Sequence, residues 1–116
     1  MSKSLSILLL TLLTTQLLQA KKETGIASYY SHCLAGKATA CGELYNTKLL
    51  TAAHKTLPFG TLVEVTMLST GKKVLVKIND RGPYSKKRVI DLSYRAAKEI
   101  GLVRAGIARV KLQVVR

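Results

Sequence analysis

The segment Val74-Leu75-Val76-Lys77-Ile78-Asn79-Asp80-Arg81-Gly82-Pro83 changes character halfway along. Its first half alternates and is rich in branched residues, as a half-buried strand is. Its second half is polar, and Gly82-Pro83 turns the chain. A carboxylate and a guanidinium therefore stand side by side at a strand end.

Working outward, Ser69-Thr70-Gly71-Lys72 reads as the hairpin turn that leads into this strand. Before it, Thr61 to Leu68 alternates Val63, Val65 and Met67 with Glu64 and Thr66, a second strand. Gly25 to Tyr30 and Ala108 to Val115 carry the same period, whereas Ser31 to Leu49 is polar and broken by Gly36 and Gly42. Ser93 can cap a short helix over Tyr94 to Ile100, with Ala96, Ala97 and Ile100 on one face and Gly101 as its stop. The chain reads as mostly β, with one or two short helices. For so small a domain, a closed six-stranded barrel is the economical way to remove sheet edges.

The first twenty residues look different. Lys3 precedes an apolar or hydroxylated run from Leu5 to Leu18, and Ala20 lies before Lys21-Lys22-Glu23. The run is about 14 residues, and a spanning helix needs roughly 20, so a cleaved signal peptide over 1–20 is expected rather than a membrane span. No cysteine follows the cut to carry a lipid. Residues 21–116 then form one exported domain, expected as a monomer in the periplasm, the cell envelope or the medium. The formal net charge is +13. A charge of that size suits a polyanionic partner, or simply a solvated surface. An exported chain rarely meets nucleic acid, so envelope polymers are the better partner. Cys33 and Cys41 are an even pair in an oxidising compartment, and a disulfide is expected between them. With only His32 and His54 as further soft ligands, no metal site is expected, and no cofactor motif is present.

Six acids could do chemistry: Glu23, Glu43, Glu64, Asp80, Asp91 and Glu99. Glu23, Glu64 and Glu99 have ordinary solvated readings. Glu43 follows Gly42 in a turn and could simply bond backbone amides. Asp80 could be a turn-former paired with Arg81. Asp91, two residues before Ser93, could stabilise the helix N-terminus. His54, closing Thr51-Ala52-Ala53-His54, could be structural or share a proton with a nearby acid.

These pieces also occur in a fixed order: Ala27-Ser28-Tyr29-Tyr30, Thr39-Ala40-Cys41-Gly42-Glu43, Leu50-Thr51-Ala52-Ala53-His54, Leu57-Pro58-Phe59-Gly60-Thr61, Asn79-Asp80-Arg81-Gly82-Pro83 and Ile90-Asp91-Leu92-Ser93. In that order they resemble the rare lipoprotein A family of septal lytic transglycosylases, over Gly25 to about Val114. The resemblance implies a double-psi β-barrel that cleaves peptidoglycan glycan strands between the two amino sugars, leaving 1,6-anhydro ends. It implies Glu43, His54 and Asp80 as residues associated with activity, with Asp91 where related barrels carry an important Asp. Tyr30, Thr39, Arg81 and Tyr84 would line the substrate cleft. A serine is commoner in the family at Cys41. The alternative is an expansin-like binder of wall polysaccharide without turnover.

Overall fold

The computed structural model describes residues 22–116, so the expected signal peptide over 1–20 lies outside the described residues. Six strands follow one another: β1 (Lys22–Tyr29), β2 (Thr51–His54), β3 (Leu62–Met67), β4 (Lys73–Asp80), β5 (Arg88–Leu92) and β6 (Ala108–Val114). Two short helices, α1 (Tyr94–Ile100) and α2 (Leu102–Ala105), lie between β5 and β6. The strands close into a barrel in the order β1-β5-β2-β4-β3-β6, the six-stranded architecture expected.

Alternation explains the easy half of this barrel. Val63 and Val65 of β3, Val76 and Ile78 of β4, and Val110 and Leu112 of β6 fill the interior. Their strands pair antiparallel, β4 with β3 and β3 with β6. The other half mixes two parallel pairs, β1 with β5 and β2 with β4, with antiparallel β2–β5 and β1–β6 ladders, and parallel neighbours can be made only by segments far apart in the chain. Strands β2 and β5 are short and hidden, and β1 begins at Lys22, earlier than its alternation suggests.

Ser93 does more than begin α1. Its hydroxyl accepts from the Ala96 N–H at 3.2 Å and donates to the Leu49 carbonyl at 2.6 Å. Gly101 ends the helix at φ 80°, a left-handed geometry that glycine adopts without a Cβ penalty. Ala96, Ala97, Ile100 and Leu102 are fully buried and pack on the interior cluster, so the helices complete the core.

Two irregularities set up the functional surface. Ala52 pairs with Ile78 and Ala53 with Asp80, which leaves Asn79 as an extra residue in β4. In the same way Ile26 pairs with Arg88 and Ala27 with Ile90, leaving Val89 over in β5. An extra residue reverses the alternation beyond it. Ile78 therefore points into the core while Asp80, two residues later, faces outward.

Candidate active site

Four residues lie in one row across four strands. Ser28 pairs with Asp91, Asp91 with Ala53, and Ala53 with Asp80. Their neighbours Ala27, Ile90, Ala52 and Ile78 are all fully buried in the core. Paired residues share a sheet face, so the row lies on the outside of the barrel. The two aspartates flank the small side chain of Ala53, with backbones two strand spacings apart, roughly 10 Å.

Asp80 is an acceptor in every contact it makes. Its Oδ1 accepts from the Ala40 N–H at 2.8 Å and the Arg81 N–H at 2.9 Å. Its Oδ2 accepts from the Tyr30 hydroxyl at 2.7 Å. Burial first, and then the Asp80 carboxylate, push the Tyr30 phenol far above its ordinary range. The phenol keeps its proton and stays a donor. Tyr30 also meets Tyr45 edge to face, with ring centroids 4.8 Å apart. Tyr30, Thr39, Tyr45 and Asp80 line a cleft of about 150 Å³ above one end of the row.

Asp91 has different company. Its Oδ1 accepts from the Ser28 hydroxyl at 2.5 Å and lies 3.6 Å from an Arg88 nitrogen. Arg88 donates in turn to the Ser28 oxygen at 2.8 Å. These contacts hold Oδ1, and among the described residues Oδ2 makes no hydrogen bond. The side chain is 15% exposed, on a strand rather than a loop.

Glu43 stands on the loop that covers the end of β4. The Cys41 N–H donates to the Asn79 carbonyl at 3.2 Å, and the Thr39 N–H and hydroxyl both donate to the Glu43 carbonyl. Thr39 is thus used in shaping this loop while also lining the cleft. The Glu43 carboxylate is 48% exposed and pairs with Lys77 at 3.4 Å. Cys41 donates its thiol to the same carboxyl oxygen at 3.3 Å. The structure holds Cys33 and Cys41 as free thiols rather than the expected disulfide, with Cys33 exposed on a separate 3-10 turn (His32–Leu34). Backbone hydrogen bonds brace the loop in its place.

His54 is not in the row. It follows Ala53, so alternation turns its ring to the core face, and it pairs with the buried Ile90. The ring lines a separate cavity of about 330 Å³ with Glu23, Leu57 and Leu112. Nδ1 accepts from the Thr56 and Leu57 N–H groups, both at 3.1 Å. That fixes the tautomer with hydrogen on Nε2, which donates to Glu23 at 2.9 Å. Glu23 is therefore a partner of His54 rather than a solvated terminal acid. The sequence offers no signal for this pairing, because the strand that carries Glu23 starts before any alternation is visible.

Arg81 joins the two faces. Its guanidinium donates to the His54 carbonyl at 3.2 Å and lies 4.1 Å above the Phe59 ring. With Lys55, Tyr84 and Lys86 it lines a second outward pocket of about 380 Å³. Tyr84 is 91% exposed there. Among the described residues no group of three His, Cys, Asp or Glu is arranged to hold a metal, and no helix is long and apolar enough to cross a membrane.

Comparison with known proteins agrees with this architecture. Residues 22–112 match the family described as "Lytic transglycolase". The endolytic peptidoglycan transglycosylase RlpA of Haemophilus influenzae is 54% identical over 91 residues, covering 78% of this chain and 32% of that protein. The probable RlpA of Treponema pallidum is 53% identical over 88 residues, covering 76% and 28%. The Pseudomonas aeruginosa RlpA is 50% identical over 95 residues, covering 82% and 28%. The chain spans about a third or less of the length of these relatives. Among solved structures, the Streptomyces papain inhibitor superposes with a TM-score of 0.66 at 26% identity, covering 82% of this chain and 94% of that one. An expansin from Clavibacter michiganensis gives 0.66 at 24% identity, covering 82% and 50%, a likeness of fold.

Proposed function

Because the chain belongs to the lytic transglycolase family, we propose that its outer groove cleaves peptidoglycan glycan strands as an endolytic transglycosylase. The observation that carries this reading is the Asp80–Ala53–Asp91 row, which sets two carboxylates on either side of a small floor. A glycosidic bond lying over Ala53 would meet both.

Asp91 is the proton donor in this reading. It has one oxygen held by Ser28 and Arg88 and one with no hydrogen bond among the described residues, on a strand. In its acid form it gives a proton to the bridging oxygen as the bond from the anomeric carbon to that oxygen breaks. The 6-hydroxyl of the same muramoyl sugar then bonds to the anomeric carbon and returns its proton to Asp91. The products are a 1,6-anhydro end and a free 4-hydroxyl, with no water consumed. Asp80, an acceptor at both oxygens, faces the positive charge that develops at the anomeric carbon.

Glu43 stands on the loop whose Thr39 lines the cleft with Tyr30, its carboxylate paired with Lys77, and Arg81 and Tyr84 line the second pocket. His54 acts through the backbone it holds. Residues 1–20 direct export, and the domain works as a monomer at the cell wall, without a cofactor. Incubating the chain with purified, peptide-stripped glycan and analysing products by mass spectrometry tests the reaction. Anhydro-muramic ends are expected; intact glycan, under conditions where a known transglycosylase works, would overturn it and leave binding alone.

A further inference from the structure

The outer face around the aspartate row is chemically lopsided, and strand direction makes it so. β2 and β4 run parallel and end where β5 begins, so Lys55, Arg81 and Arg88 gather beyond one side of the aspartate row. β1 ends on the opposite side, beside Leu92, which places Tyr30 there with Tyr45 and Thr39. One end is aromatic and hydroxylated. The other is the pocket of about 380 Å³ lined by Lys55, Arg81, Gly82, Pro83, Tyr84 and Lys86.

The cations of that pocket lack internal counter-charge. All six carboxylates of the sequence lie within the described residues, and each is engaged elsewhere. Glu23 meets His54, Glu43 meets Lys77, Glu64 meets Lys73, Asp91 meets Arg88 and Glu99 meets Arg95. Asp80 accepts from the backbone N–H of Arg81 rather than its guanidinium. The guanidinium is pinned from behind by the His54 carbonyl and the Phe59 ring, which orients it without neutralising it. A pre-positioned planar cation with two flexible ammonium groups suits a carboxylate. The exposed Tyr84 ring beside them suits the face of a sugar.

We propose that this pocket is a subsite for a carboxylate-bearing sugar: the lactyl carboxylate of the muramoyl residue that supplies the anomeric carbon of the scissile bond. The inference rests on the glycan-cleaving reading above and gives the groove a direction. The muramoyl side of the substrate lies toward Arg81, and the uncharged N-acetylglucosamine side lies toward Tyr30 and Tyr45. Repulsion of a wrongly oriented strand is not required, since the unpaired cations alone favour one orientation.

The test uses the Asp91→Asn chain, to prevent turnover, and isothermal titration with two tetrasaccharides. One alternates N-acetylglucosamine with N-acetylmuramic acid; the other is chitotetraose, which has no carboxylate. Binding of the muramoyl sugar is expected to be on the order of tenfold tighter at low salt. Adding Lys55→Gln and Lys86→Gln should remove most of that preference and leave chitotetraose binding unchanged. Equal affinity for the two sugars, or a preference that survives the double substitution, would overturn the subsite. Anhydro ends from the parent chain alongside no carboxylate preference would refute the subsite alone. A carboxylate preference without anhydro ends would refute the reaction and leave the subsite standing.

Discussion

Asp80 and Asp91 pair with the same residue, Ala53, from opposite edges of β2. Neither pairing is local in sequence, and one depends on the extra residue Asn79. The barrel thus brings a β4 carboxylate and a β5 carboxylate to either side of one small, buried side chain.

That placement makes Ala53 a sensitive position. Ala53→Leu should push the flanking carboxylates out of place and abolish detectable glycan cleavage. Overpacking at a site only 1% exposed should also cost about 1–3 kcal/mol of stability. Ala53→Gly should fold without displacing the carboxylates and retain measurable cleavage. Product assays and thermal melts on the two variants separate displacement from unfolding.

The two aspartates should fail differently. Asp91→Asn should leave stability nearly unchanged and lower turnover by about 10²–10⁴-fold, the usual range for removing a general acid. Asp80→Asn should cost stability as well. An amide offers only one oxygen to the Ala40 and Arg81 N–H groups and the Tyr30 hydroxyl, leaving a donor unmet at about 1–3 kcal/mol. Denaturant unfolding of both variants checks the contrast.

Tyr30 predicts an alkaline signature. Its folded phenol lies far above the ordinary value of 10.0, chiefly through burial and then through Asp80. Above that ordinary value the unfolded chain loses the Tyr30 proton while the folded chain keeps it. Rising pH therefore favours unfolding, and the stability held by the Tyr30–Asp80 bond is full below pH 10 and declines above it. The stability gap between the parent and Tyr30→Phe should be largest at neutral pH and shrink as pH rises past 10. Melting temperatures of both chains between pH 8 and about 11 measure that gap.

His54 acts through the turn it holds. Asn can place an oxygen where Nδ1 now accepts from Thr56 and Leu57, so His54→Asn should retain most activity. His54→Ala should lower both the melting temperature and turnover. If the ring were instead a proton carrier, His54→Asn would be as inactive as His54→Ala, and the pH–rate profile would lose a limb. Nitrogen chemical shifts should report hydrogen on Nε2.

Both thiols should titrate with Ellman's reagent in the folded or denatured chain, and a reductant should not shift the melting temperature. Cys41→Ser should keep the contact to Glu43, because a hydroxyl donates as a thiol does.

How far the sequence could carry these conclusions depended on where alternation survives. Strands β3, β4 and β6 each have one core face and one wetter face, and their period is visible in Val63 to Met67, Val74 to Ile78 and Val110 to Val114. β2 is buried on both faces, so Thr51 to His54 carries no period at all. In β5 the extra Val89 interrupts the pattern. The acids Asp80 and Asp91 were recognisable as strand-end carboxylates in an ordered motif set. Their convergence on Ala53 was not, since one parallel and one antiparallel pairing, both between segments far apart in the chain, leave no local mark. The same holds for His54, whose partner Glu23 is set by barrel closure, and for Cys33 and Cys41, whose spacing carries no information about direction.

The most direct test of the groove is digestion of peptide-stripped glycan in ¹⁸O-labelled water, by the parent chain and Asp91→Asn side by side. The parent should release fragments with unlabelled 1,6-anhydro-muramic ends, and Asp91→Asn should release almost none. Labelled reducing ends from the parent, or undiminished anhydro ends from Asp91→Asn, would contradict a water-free cleavage centred on Asp91.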